Sequence, residues 1–139
     1  VLLIKLWLIT AMLFLGWRQA TEGIDTVLER AAKVARFAFG GTGYAGVISD
    51  GEQDYKSILA HKSALADFEK LYSQGNLQAK CYALVGINKL NPARFKELAR
   101  RLRGSNEKVA TMHGCILFDE AFADVIRQIE SSQYSRQGR

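Results

Sequence analysis

Residues 64–102 read ALADFEKLYSQGNLQAKCYALVGINKLNPARFKELARRL, and the fold class turns on how this stretch divides. Ala64, Leu65, Phe68, Leu71 and Tyr72 recur at three- and four-residue steps, marking one face of a helix that Gly75-Asn76 stops. Leu77, Cys81, Leu84, Val85 and Ile87 mark a second helix. Together with Tyr82, Ala83 and Leu90 they make it apolar on nearly all sides between Cys81 and Ile87, the pattern of a central, buried helix. Asn91-Pro92 then supplies an N-cap followed by proline at the first helical position, and Phe95, Leu98, Ala99 and Leu102 form the stripe of a third helix up to Gly104. Short polar connections predict that the three are antiparallel neighbours.

This succession of helix, turn, helix, Asn-Pro and helix resembles one and a half units of a HEAT-type α-solenoid, from about Ala64 to Leu102 and no further. A repeat array needs about three units, and no second full repeat is visible. The resemblance implies a protein-binding scaffold rather than an enzyme.

Toward the N-terminus, Ile24, Val27, Leu28, Ala31, Val34, Ala35 and Ala38 keep helical spacing, predicting an amphipathic helix of about four turns with Gly40-Gly41 as its C-cap. The next residues contain Gly41-x-Gly43-x-x-Gly46, the spacing of a dinucleotide-binding loop. In such a loop the glycines follow a buried strand and open a helix. Here they are expected to follow a helix, and the capping box Ser49-x-x-Glu52 starts the next helix several residues too late. No Gly-Lys-Ser/Thr follows, so the phosphate-loop reading fails as well. The loop is read as a helix-to-helix connection, and no cofactor is expected.

Toward the C-terminus, residues 107–119 are rich in β-branched and aromatic side chains, predicting a short β segment near 108–118: a strand, a hairpin turning at His113-Gly114, or an extended loop. Asp119-Glu120 reads as the acidic first turn of a last helix carrying Phe122, Val125, Ile126 and Ile129. The predicted fold is therefore mainly α: a small antiparallel helical domain, HEAT-like in its hairpin stacking, over residues 21–133, with a flexible tail at 134–139. With 139 residues, 48% of them apolar, and one proline, the chain suits a single domain.

A hydrophobic leader helix is expected at residues 1–20. Leu6 to Trp17 carries no charge and lies between Lys5 and Arg18. The run matches the apolar region of an export signal and is short for a membrane span. Arg18 stands where a cleavage site at Ala20 would want a small residue, so a cleaved signal and a retained anchor are both compatible with it. Either places the domain outside the cytoplasm, periplasmic or secreted, or tethered in the membrane through residues 1–20.

Few residues suggest chemistry. In an oxidising compartment Cys81 and Cys115 read first as a disulfide. A Cys–His nucleophile using His113, or a metal site adding His61, lacks the accessible thiolate or the four ligands needed. Arg94, Arg100, Arg101, Arg103 and Lys108 form a basic cluster, read as a binding patch or as the solvated cationic end of a helix. No aromatics interleave with it for stacking on bases, so nucleic acid is not an expected partner. The functional expectation is a non-catalytic domain that binds another protein of the cell envelope. The alternative is a small hydrolase using the Gly40–Gly46 loop with Asp50, Glu52 or His113. Residues 1–25 fused to a reporter active only outside the cytoplasm are expected to yield active reporter; a silent, normally expressed fusion would refute the export reading.

Overall fold

Six helices and one β-hairpin organise residues 22–131 and 133–134, the part that this computed structural model describes. The expected leader at 1–20 and the tail beyond Tyr134 lie outside the described residues. Helix α1 spans Ile24–Ala31, α2 Asp50–Ala60, α3 Ala64–Gln74, α4 Leu77–Leu90 and α5 Pro92–Leu102; strands β1 (Lys108–His113) and β2 (Ile116–Ala121) lead into α6 (Phe122–Glu130). The protein is thus mainly helical with a two-stranded antiparallel sheet.

Helix α4 is the hub, as its all-round apolarity predicts. Its residues Cys81 to Ile87 are all buried, and α2, α3, α5, α6 and β1 pack around it. Local chemistry sets its limits. The Asn76 side chain accepts from Ala79 N at 2.9 Å to open α4, and Asn91 accepts from Arg94 N at 3.1 Å to open α5 with Pro92 at its first turn. The α3–α4–α5 succession therefore falls where the sequence places it. The HEAT-like likeness ends there, because α2, α6 and β1 cover the remaining sides of α4 and, among the described residues, no second repeat stacks on it.

The predicted four-turn first helix is corrected. Helix α1 stops at Ala31, where Lys33 N and Val34 N bond back to Arg30 and Ala31 carbonyls in a tight turn. Beyond it Phe37, Ala38 and Phe39 are buried and extended. Phe37 makes a parallel bridge to β1, donating to Ala110 O at 2.9 Å and accepting from Met112 N at 3.1 Å. Three aromatic rings, Tyr82, Tyr134 and Phe39, stand within 5.5 Å of the Phe37 ring, centroid to centroid. A helix would have turned these residues outward in rotation; burial of two phenylalanines, each contributing roughly 1.5–3 kcal/mol, favours the extended course. Tyr134, expected in the tail, is part of this cluster and buried.

Two further expectations change. Asp119 and Glu120 belong to β2 rather than to a helix start, since backbone pairing with Ala110 and Val109 of β1 holds them extended. The hairpin turns at Gly114-Cys115, one residue later than predicted.

The extended segment is tied to α4 by one hydroxyl. Tyr82 Oη donates to Ala38 O at 2.7 Å and accepts from Ala38 N at 3.0 Å, while Ser49 Oγ lies 3.1 Å from it and itself accepts from Glu52 N to cap α2. Burial, first among the causes, pushes the Tyr82 phenol up to about 12, so the donor proton is retained at neutral pH. Only glycine fits at position 51: a Cβ there would stand 2.6 Å from the Tyr82 hydroxyl. Tyr82→Phe keeps the ring packing and strands the Ala38 N–H, while Ala38 O keeps the Ser49 hydroxyl, which donates to it at 3.0 Å. It is expected to lower unfolding free energy by about 1–3 kcal/mol, read by denaturant titration; an unchanged midpoint would refute this role.

Candidate binding surface

The glycine loop is closed from within. Glu52, only 1% exposed, accepts from Gly40 N at 2.8 Å through Oε2 and pairs with Lys56 Nζ at 3.0 Å through Oε1. In the expected capping box that carboxylate would return to Ser49; it reaches the loop instead, while Ser49 alone caps α2. Thr42 holds the loop's base, donating from N and Oγ1 to Val47 O at 2.9 and 3.0 Å. Gly40, Gly43 and Gly46 have φ of 80°, 69° and 62°, and these left-handed turns carry the chain out and back.

This course corrects the ground on which nucleotide binding was set aside. The glycines do follow a buried extended segment, Phe37–Phe39, and do precede a helix. What opposes a phosphate is charge. The first loop amide already donates to the Glu52 carboxylate, and the first turn of α2 carries Asp50 and Glu52 where an anion would need the bare positive end of the helix.

The hydrolase set does not assemble into an accessible centre. Glu52 is buried and committed, and Asp54 is buried in an ion pair with Arg30. Asp50 is exposed on α2. His113, at the end of β1, pairs with Glu120 Oε2 at 3.0 Å, and its ring meets Phe118 edge-on at 5.5 Å. Glu120 also accepts from Thr111 Oγ1 at 2.6 Å and Gln128 Nε2 at 3.1 Å. Burial would raise its carboxyl, but these hydrogen bonds outweigh burial and hold it below the usual carboxylate range. The group fastens the hairpin to α6.

The predicted disulfide is corrected too: both cysteines are free. Cys81 is wholly enclosed in α4, where burial pushes its thiol well above the usual range. Cys115 is exposed at the hairpin turn. The packing around α4 that encloses the first sulfur leaves the second outside.

In the basic cluster, Arg94 pairs with Glu69 at 2.9 Å and Glu97 at 2.8 Å, Arg101 with Glu97 at 3.0 Å, and Arg103 with Glu130 at 3.1 Å. Arg100 and Lys108 are exposed, with no ion pair among the described residues. Carboxylates thus neutralise much of the cluster's charge at the surface. Among the described residues no group of three or more metal-ligating side chains occurs, and no helix is long and apolar enough to cross a membrane.

What the structure does assemble is an apolar end that individual motifs in the sequence did not mark. Gly43 N donates to Gly114 O at 3.0 Å, setting the glycine loop against the hairpin turn. Around this junction Tyr44 is fully exposed, and Ile116, Leu117 and Phe118 are 60%, 53% and 43% exposed. Among the described residues one edge of the hairpin is open there as well. Ala110 O and Met112 N are directed to Phe37, so the Ala110–Asp119 and Met112–Leu117 pairs are non-hydrogen-bonded ones of the ladder. The main-chain groups of Leu117 and Asp119 therefore point to the free side of β2, where no strand pairs with them among the described residues. The signal in the sequence was the run Ile116-Leu117-Phe118, whose lack of alternation is unusual for a strand with one dry face.

No family profile, curated protein or solved structure is matched by this chain.

Gly43 has a left-handed φ and nothing within 4 Å of a Cβ, so Gly43→Ala tests backbone conformation without crowding. It is expected to cost about 1–2 kcal/mol. Gly104→Ala, equally uncrowded and without positive φ, serves as the control and should be within about 0.5 kcal/mol of the parent. Equal melting temperatures for the two variants would refute the argument.

Proposed function

We propose that this chain is a non-catalytic binding domain that holds a protein against its apolar end, formed by β2 and the glycine loop. The free edge of β2 carries the reading. It offers paired apolar side chains and main-chain donors and acceptors at once, and only another polypeptide satisfies both. A lipid surface would cover the side chains and leave the Leu117 and Asp119 amides unpaired, at several kcal/mol each. A small ligand has no enclosed cavity here: the cleft lined by Arg36, Ala110, Thr111, Leu117, Phe118 and Asp119 is shallow, about 220 Å³, and lies along the same sheet.

The partner expected from the leader is a protein of the cell envelope. With both cysteines free, that compartment now rests on residues 1–20 alone. The basic cluster on α5 contributes less, because its arginines are largely paired within the chain and surface ion pairs of this kind contribute little.

The test places a photo-cross-linking residue at Phe118 and, as the control, at the exposed Lys96 of α5, in cells that make the full chain. A discrete protein adduct at position 118, and none at 96, is the expected outcome. Absence of any adduct at 118 would overturn the proposed surface.

A further inference from the structure

The geometry points to a second copy of this chain as the polypeptide that pairs with β2, joining two hairpins edge to edge about a two-fold axis at Leu117. This rests on the reading of β2 as a protein-binding edge and names its occupant. Register selects the occupant. Two antiparallel copies of one strand can be centred on any residue whose main-chain groups face the free side, or on a residue between two such positions. On β2 the outward groups clear of the turn at Cys115 and of Ala121, the N-cap of α6, are those of Leu117 and Asp119, which leaves three centres to compare: 117, 118 and 119.

Centring on Asp119 sets two carboxylates opposite each other and Phe118 opposite Glu120 of the second copy, which like-charge repulsion and desolvation both oppose. Centring on Phe118 pairs the two phenyl rings but sets each Leu117 against Asp119 of the second copy. Centring on Leu117 matches every apolar residue with an apolar one. Leu117 faces its own copy in a hydrogen-bonded pair, each N–H donating to the other's carbonyl. Ile116 and Phe118, on the opposite face, each lie across from the other's counterpart in close, non-hydrogen-bonded pairs. Asp119 then falls opposite Cys115 of the second copy, at its turn, away from any carboxylate.

The run Ile116-Leu117-Phe118 is in this sense self-complementary, which explains why it lacks the alternation that a solvent-facing edge strand would carry. The same pairing closes the sheet. The Phe37 segment occupies the far side of β1, so the assembly is β1–β2 joined to β2–β1 with both outer edges already covered, and growth stops at two copies.

The experiment uses the full chain with Cys115→Ser, in which Cys81 remains buried and unreactive. In this background Leu117→Cys is compared with Asp119→Cys. A two-fold axis at 117 brings the Leu117 Cα atoms to roughly 5.5 Å, within disulfide reach, and holds the two 119 positions well beyond 7 Å. Mild oxidation is expected to give a covalent dimer with Leu117→Cys and none with Asp119→Cys. Sedimentation velocity of the unmodified chain across the micromolar range should show a concentration-dependent dimer. Leu117→Lys, which places like charges on the axis at a half-exposed position, should weaken that dimer by about tenfold or more, with the melting temperature unchanged at concentrations low enough for the parent chain to be monomeric. Cross-linking at 119 instead of 117 would overturn the register. A monomer at all concentrations with no cross-link at either position would overturn self-association, and if photo-cross-linking at 118 still captured a different protein, the binding-edge reading would stand while this inference fell.

Discussion

A single phenolic oxygen organises this protein. Tyr82 rises from the central helix α4 and fills both main-chain groups of Ala38, and Ser49 closes the arrangement by bonding to the same oxygen while capping α2. Three elements far apart in the chain are thereby fixed at one buried point: the hub helix, the extended segment and the start of the helix after the glycine loop. Because Ala38 is held in this way, Phe37 can lie beside β1 and Phe39 can reach Tyr55, with ring centroids 5.1 Å apart. Each of these contacts needs the others, since an extended segment with no sheet on its outer side has few hydrogen bonds of its own to offer.

The apolar end follows from that constraint. Bonding of Phe37 to Ala110 and Met112 fixes which residues of β1 face β2 and which face away, and the alternation passes across the hairpin to β2. The outward amides of Leu117 and Asp119 are therefore set by a bond made two strands away. The same packing bears on the loop with a nucleotide-like glycine spacing: α2 is drawn in close enough for Glu52 to take the Gly40 amide, so a carboxylate stands where a phosphate would need a free donor.

The parts of the fold legible in the sequence are those whose limits are set locally. Asn76, Asn91 and Pro92 cap helices through atoms within three residues of themselves, and α3, α4 and α5 accordingly lie where the sequence puts them. Val34, Ala35 and Ala38 continue the spacing of α1 equally well, yet the chain leaves the helix at Ala31. What holds Ala38 is Tyr82, 44 positions later, and no local pattern reports that. Asp119 and Glu120 misled for a related reason: acids before an apolar stripe favour a helix start, and pairing with β1 outweighs that preference. Of the candidate site residues, Glu52 was recognised as the residue of a helix start, but its bond to the loop was not legible. Cys81 was correctly expected to be buried. That Cys115 would sit on an exposed turn depended on where the hairpin reversed, which the sequence left open among strand, hairpin and loop.

Tyr134 gives the packing a temporal aspect. Its ring lies 4.9 Å from Phe37 and 5.6 Å from Phe39, and its hydroxyl donates to Gln128 at 2.5 Å. The extended segment thus waits, during synthesis, first for α4, then for β1, and at last for a tyrosine almost a hundred residues downstream. Helices α3 and α4 can pair as soon as both have left the ribosome. The aromatic cluster closes fully only after translation has passed residue 134, so a nascent chain halted before that codon lacks one of the rings that cover Phe37 and Phe39, although Tyr55, Tyr82 and β1 already lie upstream of it.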